Sequence, residues 1–159
     1  MRLELLVGPI ASGKSTYCRT AAKEGAIIVN DDAIVIAVHG GDYFLYQKSL
    51  KPLYKSIENC IVGTALAMGK VVIVDRPNHS ISMRRRYIGL GKSFDAIVRV
   101  VMFERHDPKV HRKRRFDGDS RGTSLESWIK IAQHHEDLYE QPDPDMEHFD
   151  EWVGWCWPG

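Results

Sequence analysis

The stretch Gly8-Pro-Ile-Ala-Ser-Gly-Lys-Ser-Thr16 decides the fold of this chain. It matches the pattern G-x-x-x-x-G-K-[ST] of the phosphate-binding P-loop. The residues before it, 2–7, alternate and then turn fully apolar, which predicts a buried strand, and helix-forming residues follow at 17–23. This strand–loop–helix context favours a true P-loop over a chance glycine-rich turn. The sequence therefore predicts a site that holds a nucleoside triphosphate.

The residue types of the loop fit this task. Glycines at both ends permit backbone conformations that a side chain would block, so successive N–H groups can face the phosphates at the positive end of the next helix. We expect Lys14 to reach the β- and γ-phosphates and the Ser15 hydroxyl to be a ligand of Mg²⁺, with ATP as the donor. The predicted nucleotide-binding residues of the loop are Gly8, Ala11, Ser12, Gly13, Lys14, Ser15 and Thr16.

Composition places few further limits. The chain has 159 residues and a formal net charge of +1, so it is expected to form one domain and shows no global sign of a nucleic-acid partner. Its cysteines, Cys18, Cys60 and Cys156, are widely spaced and in no metal-ligand pattern. They are typical of reduced intracellular thiols. Without a signal-peptide pattern or a membrane-length apolar run, we expect a cytoplasmic protein.

Short apolar runs alternate with longer helical stretches along the chain. The runs at 2–7, 26–29, 71–74, 96–103 and 149–153 predict strands, and the stretches from about 48 to 68 and from 125 to 139 predict helices. This alternation predicts an α/β fold of the P-loop NTPase type, with a doubly wound parallel sheet of about five strands covered by helices on both faces.

Polar residues follow the predicted strands directly. Because ligands bind outside the carboxyl ends of parallel strands, we expect Asp31, Asp32, Asp75 and Arg76 to converge around the P-loop. Asp31 is the candidate general base for an acceptor hydroxyl, and the other three are candidates for binding the substrate. The alternative is that an aspartate caps a helix beginning near Ala33.

A basic segment at about 105–123 separates the fourth strand from the next helix. We interpret it as a mobile lid that closes over the phosphates. Arg115 and Arg121 are the candidates for neutralising charge on the transferred phosphoryl group, since arginine carries a forked and permanent charge. The alternative is a solvated helix end followed by a loop.

Two other features carry weaker signals. The cluster Arg84-Arg85-Arg86 could line a groove for a polyanion together with the lid, with Arg85 the residue assigned to substrate, or it could be a plain surface cluster. The tail Trp152-Val-Gly-Trp-Cys-Trp157 is rich in aromatic residues. It could pack against the domain, stack on bases or contact another subunit.

Taken in order, these motifs resemble those of the phage-type polynucleotide 5′-hydroxyl kinases and their small P-loop kinase relatives. The resemblance also includes Arg121-Gly-Thr123 at the end of the lid and Glu147-His-Phe-Asp-Glu151 near the closing strand. It implies that Lys14 and Ser15 bind phosphates and Mg²⁺, that Asp31 is the general base, that Arg121 contacts the donor and that Asp75 supports the acceptor.

The chain departs from that family at one point. An arginine that usually follows the aspartate pair and touches the acceptor phosphate is replaced here by the stretch Ala33-Ile-Val-Ile36. Recognition of the acceptor would then fall to Arg76 or to residues 84–86. The leading expectation is a kinase that phosphorylates a hydroxyl of nucleic acid, either a 5′-end or a hydroxymethyl group on a modified base, in a phage or bacterial cell. The alternatives are a kinase of a nucleotide, nucleoside or other small acceptor, and a nucleotide-dependent switch. The sequence does not indicate an oligomeric state.

Overall fold

A five-stranded parallel sheet forms the centre of the protein, whose computed structural model describes residues 1–118 and 122–156. The strands lie in the order β2-β3-β1-β4-β5, and every neighbouring pair is parallel. Their bounds are β1 (Arg2–Val7), β2 (Ile27–Val29), β3 (Val71–Val74), β4 (Ile97–Phe103) and β5 (Glu151–Trp155). The prediction of an α/β, P-loop NTPase-type parallel sheet is confirmed.

Helices connect the strands. They are α1 (Lys14–Lys23), α2 (Asp31–Val38), α3 (Lys51–Ala67), α4 (Ile81–Lys92), α5 (Pro108–Asp117), α6 (Leu125–Asp137) and the short α7 (Pro144–Glu147). Two 3₁₀ turns, Tyr43–Leu45 and Lys48–Leu50, precede α3. No helix among the described residues is long and apolar enough to span a membrane.

The two faces of the sheet bury separate clusters because alternate strand residues point to opposite sides. On one face Leu3, Leu5 and Val7 of β1 pack with apolar residues of α2, α3 and α4. On the other face Leu6 packs with Cys18 of α1. β1 is central and almost fully buried, so the loop that follows it leaves the middle of the sheet at its carboxyl edge.

Three predicted elements need correction. The closing strand begins at Glu151 rather than 149, because Phe149 packs into the core and the Asp150 carboxylate accepts a hydrogen bond from the Val98 amide (2.7 Å). The long helix begins at Lys51, after the two 3₁₀ turns, rather than near 48. Most of the segment expected to be a loop-like lid is the helix α5, which packs along α6.

Candidate active site

The P-loop has the backbone geometry that its glycines predict. Gly13 has a φ of 101° and Ala11 a φ of 52°, so the chain turns through the left-handed region twice before α1 begins. A Cβ on Gly8 would lie 2.6 Å from Cβ of Phe103 on β4. Glycine is therefore required at position 8 because the loop leaves β1 in close contact with the neighbouring strand.

Lys14 lies inside this loop. Its ammonium donates hydrogen bonds to the carbonyl oxygens of Gly8 (2.8 Å) and Pro9. Burial lowers the pKa of Lys14 to about 8, although the nearby Asp75 carboxylate opposes that shift. The loop thus holds a cation at its centre that is only partly compensated by protein groups, as expected of a group that binds phosphate.

The side chain of Asn30 shows which residue after β2 caps helix α2. Its Oδ1 accepts a hydrogen bond from the Ala33 amide (3.0 Å), which makes Asn30 the N-cap of α2. Its Nδ2 also donates to Oδ2 of Asp75 (3.2 Å). The alternative reading of an aspartate as the cap is therefore wrong: Asp31 and Asp32 both lie in the first helical turn.

The Asp31 carboxylate lies at the edge of the cleft and pairs with Arg76, with 2.8 Å between Oδ2 and Nη2. The other guanidinium nitrogen of Arg76 donates to Glu58 (3.2 Å) and to the Tyr87 hydroxyl (3.2 Å). Burial raises the pKa of Asp31 above its usual value, and the charge of Arg76 limits that rise. Arg76 therefore anchors the Asp31 carboxylate through its Oδ2 atom.

Asp75 ends β3 beside the P-loop. Burial raises its pKa, while Lys14 and the hydrogen bonds from Asn30 and Cys18 act against that rise. Lys14 and Cys18 belong to α1 and Asn30 follows β2 directly, so α1 and the end of β2 meet at this carboxylate.

One cleft of about 540 Å³ brings together most of the residues predicted for the site. It lies between the P-loop and helices α5 and α6, and its walls include Ala11, Lys14, Ser15, Asp31, Asp32, Asp75, Arg76 and Arg115. A neighbouring cavity of about 630 Å³ follows the outer side of the loop and is lined by residues 11–16, Glu104, His106 and Arg114. Residues from four parts of the sequence thus converge at one edge of the sheet.

A third cavity, of about 400 Å³, opens on the far side of Asp31 and Arg76. Its walls carry tyrosines and cations, namely Tyr46, Lys51, Tyr54, Lys55, Arg86 and Tyr87. The rings of Tyr46 and Tyr54 are stacked with centroids 5.7 Å apart. We call it the acceptor cavity, because Asp31 lies between it and the P-loop cleft and lines both.

The basic segment contributes through α5. The Arg115 guanidinium lies 4.6 Å from the centre of the Trp128 ring on α6, and Arg114 lines both the cleft and the cavity along the loop. Arg105 pairs with Glu136 of α6 (2.7 Å). Arg121, the other predicted lid arginine, lies outside the described residues, as does Trp157.

The side chains of Arg84, Arg85 and Arg86 point in three different directions, because successive residues of helix α4 are about 100° apart. Arg84 has no exposed surface and forms a two-pronged pair with Glu147 (2.7 and 2.9 Å), so it cannot line a groove. Arg85 is exposed, donates to the Met146 carbonyl and lines none of the three cavities, which removes the basis for assigning it to substrate. Only Arg86 faces the acceptor cavity.

Several residues of the site were not predicted from the sequence. Glu58, Tyr54 and Tyr87 lie within long helices, where nothing in the sequence marks the side that meets the cavity. The sequence does not distinguish Arg114 from its basic neighbours, because only the course of helix α5 brings it to the walls of the cleft and of the cavity beside the P-loop.

The donor set suits a hard cation. No group of three or more His, Cys, Asp or Glu side chains forms a metal cluster within residues 1–118 and 122–156. Ser15, which is exposed at the start of α1, shares the cleft with Asp31 and Asp75. Hydroxyl and carboxylate oxygens are what Mg²⁺ prefers, and Mg²⁺ commonly takes its remaining ligands from phosphates and water. These residues therefore fit the ion, and Ser15 would be its direct protein ligand.

Comparison with known proteins places this geometry in a family. A family described as an AAA domain, AAA_33, matches residues 3–134, and the chain belongs to it. No curated protein sequence matches the chain significantly.

Solved structures share the fold at low sequence identity. Kti12 of Chaetomium thermophilum, in complex with ADP-AlF3, is 18% identical with a TM-score of 0.70, over 98% of this chain and 89% of that one. A chain of the Pnkp1/Rnl/Hen1 complex is 22% identical with a TM-score of 0.63, over 77% of this chain and 42% of that one. A gluconokinase of Sinorhizobium meliloti 1021 is 18% identical with a TM-score of 0.58, over 96% and 81%. The fold is that of the P-loop kinases.

Proposed function

We propose that this AAA_33 member is an ATP-dependent, Mg²⁺-requiring kinase that transfers the γ-phosphoryl group to a hydroxyl on nucleic acid. The observation that carries the proposal is the position of Asp31. Its carboxylate shares one cleft with Lys14 and Ser15, is not used as a helix cap, and is anchored by Arg76. A general base needs this arrangement: a fixed carboxylate beside the phosphate site, open to a second substrate.

The donor half of the reaction belongs to the P-loop. Lys14 would bind the β- and γ-phosphates, and the backbone N–H groups of the loop would surround them. Mg²⁺ held by Ser15 would supply positive charge to the phosphate oxygens. Arg114 and Arg115 would add charge from the side of α5, and we also assign Arg121, which lies outside the described residues, to the phosphates.

The acceptor half centres on Asp31. As the acceptor oxygen forms its bond to the γ-phosphorus, its proton passes to the Asp31 carboxylate. The bond between that phosphorus and the bridging oxygen of ADP breaks, and ADP leaves with the electron pair. Because the transition state is loose, orientation of the hydroxyl matters more than a strongly basic carboxylate. Asp32 and Asp75 are proposed to help hold the acceptor and the ion-bound water.

The acceptor cavity supports nucleic acid as the second substrate. Aromatic side chains provide stacking surfaces for bases, and cations interact with the backbone phosphates. Tyr46 and Tyr54 provide the stacking surfaces, and Lys51 and Lys55 provide the cations. Among the described residues, neither lysine has an ion-pair partner, so a phosphate there would meet uncompensated charge.

A small acceptor is the second candidate, and the buried Arg84 favours it. The loss of Arg84 and Arg85 from the predicted groove leaves fewer cations for a long polyanion. The acceptor cavity, at about 400 Å³, also falls within the size range of small-molecule sites. A nucleoside or nucleotide would use the same tyrosines and the same base.

The experiment is a parallel transfer assay with γ-labelled ATP and Mg²⁺. The acceptors are 5′-hydroxyl oligonucleotides, DNA carrying hydroxymethyl bases, nucleosides, nucleoside monophosphates, gluconate and shikimate. Label on either polynucleotide supports the proposal and identifies which hydroxyl is used. Label confined to nucleosides or monophosphates would establish the second candidate instead. Label only on gluconate or shikimate would overturn the nucleic-acid proposal and would identify a small acceptor that carries no base.

A further inference from the structure

His79, in the loop between β3 and α4, is buried without satisfying its polar atoms. The residue is 3% exposed, and neither ring nitrogen has a hydrogen-bond partner in the described part of the chain. Buried polar atoms are nearly always hydrogen-bonded, because leaving one unpaired is unfavourable. Two unpaired nitrogens on one ring therefore call for a partner outside the described residues.

The main chain around His79 is firmly held. The preceding residue, Asn78, has a φ of 45° and donates from Nδ2 to the Leu6 carbonyl (2.9 Å). The carbonyl of His79 itself accepts hydrogen bonds from Arg84 (2.9 Å) and from the amide of Glu140 (2.8 Å). Left-handed backbone at a non-glycine residue persists only where its surroundings enforce it, and such sites cluster at functional positions. The loop thus fixes the backbone from which the ring extends.

The ring lines the P-loop cleft. It packs against the His135 ring of α6, with centroids 4.1 Å apart and planes tilted by 43°. Both rings share the walls of the cleft with Lys14. Burial, followed by the charges of His135, Lys14, Arg105 and His134, lowers the pKa of His79 to about 3. His79 is therefore a neutral imidazole, with one N–H donor and one acceptor nitrogen.

We propose that His79 is a further catalytic residue, whose ring N–H donates a hydrogen bond to an oxygen of the transferred phosphoryl group. The inference rests on the proposed function, because the γ-phosphate is the anion that would lie beside Lys14. The groups around the ring that shift its pKa are cationic or neutral, which suits an anionic partner. A neutral donor contacts such a partner without adding another charge to a cleft that already holds Lys14, Arg114 and Arg115.

Paired substitutions separate this role from simple packing against His135. His79→Phe keeps an aromatic ring but removes both nitrogens, whereas His79→Gln keeps an amide donor and loses the ring. We expect His79→Phe to lower kcat about 10- to 100-fold, the effect of losing one hydrogen bond to a charged group, with KM for ATP changed less. His79→Gln should retain turnover within several-fold of the wild type. A His79→Phe enzyme with wild-type kcat, or a Gln variant slower than the Phe variant, would overturn the proposal.

A spectroscopic measurement tests the contact without turnover. The full chain, with ¹⁵N-labelled histidine, is compared after addition of ADP with Mg²⁺ or a non-hydrolysable ATP analogue with Mg²⁺. We expect the analogue, and not ADP, to move the His79 ring nitrogen signals, while His148, exposed at the end of α7, stays unchanged. Identical His79 spectra in the two complexes would overturn the proposal. A protein that phosphorylates no acceptor would refute the kinase activity, yet this comparison would still decide whether His79 contacts the γ-phosphate.

Discussion

At the scale of single residues, substitution of Asp31 tests the proposed role of a general base. Replacing the carboxylate by an amide in Asp31→Asn keeps the shape and removes the base, so kcat should fall about 100-fold or more, while affinity for ATP stays close to wild type. Turnover and ATP binding are measured separately, by label transfer and by calorimetry. Asp95→Asn, an exposed aspartate in the loop before β4, is the matched control and should behave as wild type.

The pH profile carries a second signature of Asp31. Its pKa is raised by burial, so the carboxylate becomes protonated at a higher pH than an ordinary aspartate, whose value is 3.8. The rate of transfer should therefore fall as the pH drops through a value above 3.8. A profile without an acid limb down to pH 4, at saturating substrates and with the fold intact, would remove Asp31 from this role.

The lowered pKa of Lys14 predicts that nucleotide binding depends on pH. Its pKa is about 8 in the protein, and phosphate oxygens would raise it in the complex. Affinity for ATP should thus be constant below pH 8 and fall above it, by up to about tenfold per pH unit, because binding must then take up one proton. Calorimetry in buffers of different ionisation enthalpy measures this uptake. An affinity that stays constant to pH 9.5 would contradict the assignment.

Residue-level prediction from the sequence succeeded where a motif fixes geometry. The P-loop spacing predicted that Lys14 and Ser15 lie together, and the ends of β2 and β3 predicted Asp31 and Asp75 beside them; all four line one cleft. It failed where only tertiary packing decides, as for Arg84, which the basic cluster suggested was free and which Glu147 holds in the interior. The roles of all these side chains remain predictions.

At the scale of elements, the pair of Arg84 and Glu147 joins α4 to α7. Both side chains are fully buried. Glu147→Gln would leave the arginine without its counter-charge and should lower the free energy of unfolding by about 3–5 kcal/mol. Urea titration measures this loss. Lys92→Ala removes an exposed pair with Asp150 at the end of the same helix and should cost about 1 kcal/mol or less. Equal losses for the two variants would contradict the buried role.

Helix α3 carries two of the cations that line the acceptor cavity. Lys51 and Lys55 are four residues apart and so lie on one side of the helix. Replacing both by alanine should raise KM for a phosphate-bearing acceptor about tenfold or more, and leave KM for an unphosphorylated nucleoside nearly unchanged. Lys48→Ala, an exposed lysine that lines none of the three cavities, is the matched control. A double variant with wild-type KM would show that the acceptor lies elsewhere.

Elements were predicted from the sequence with uneven success, for physical reasons. Apolar β-branched runs such as Val71–Val74 gave the strands of the sheet interior almost to the residue. The helix α5 was missed because most of its residues are charged, with no apolar stripe to reveal the helical period. The edge strand β5 was displaced by two residues, since Phe149 is apolar but belongs to the core rather than the ladder.

At the scale of the whole molecule, the order of strands explains why the site forms where it does. β1 lies between β3 and β4, so the P-loop emerges with the end of β3 on one side and that of β4 on the other. The P-loop cleft, Asp31 and the acceptor cavity then follow along one edge of the sheet. Sequence reasoning predicted this convergence, because it depends only on a parallel sheet. The shape of the acceptor cavity depends on how side chains of α3 and α4 pack together, so it could not be predicted from the sequence.

The destination of the γ-phosphate tests the central claim most directly. In a single turnover with γ-labelled ATP, excess enzyme and a 5′-hydroxyl or hydroxymethyl-base oligonucleotide, each ADP formed should be matched by one labelled oligonucleotide, with little free phosphate. Omitting the oligonucleotide should slow ADP formation strongly. The account is contradicted if label appears only as free phosphate, at the same rate with and without acceptor, because the protein would then hydrolyse nucleotide rather than transfer its phosphoryl group.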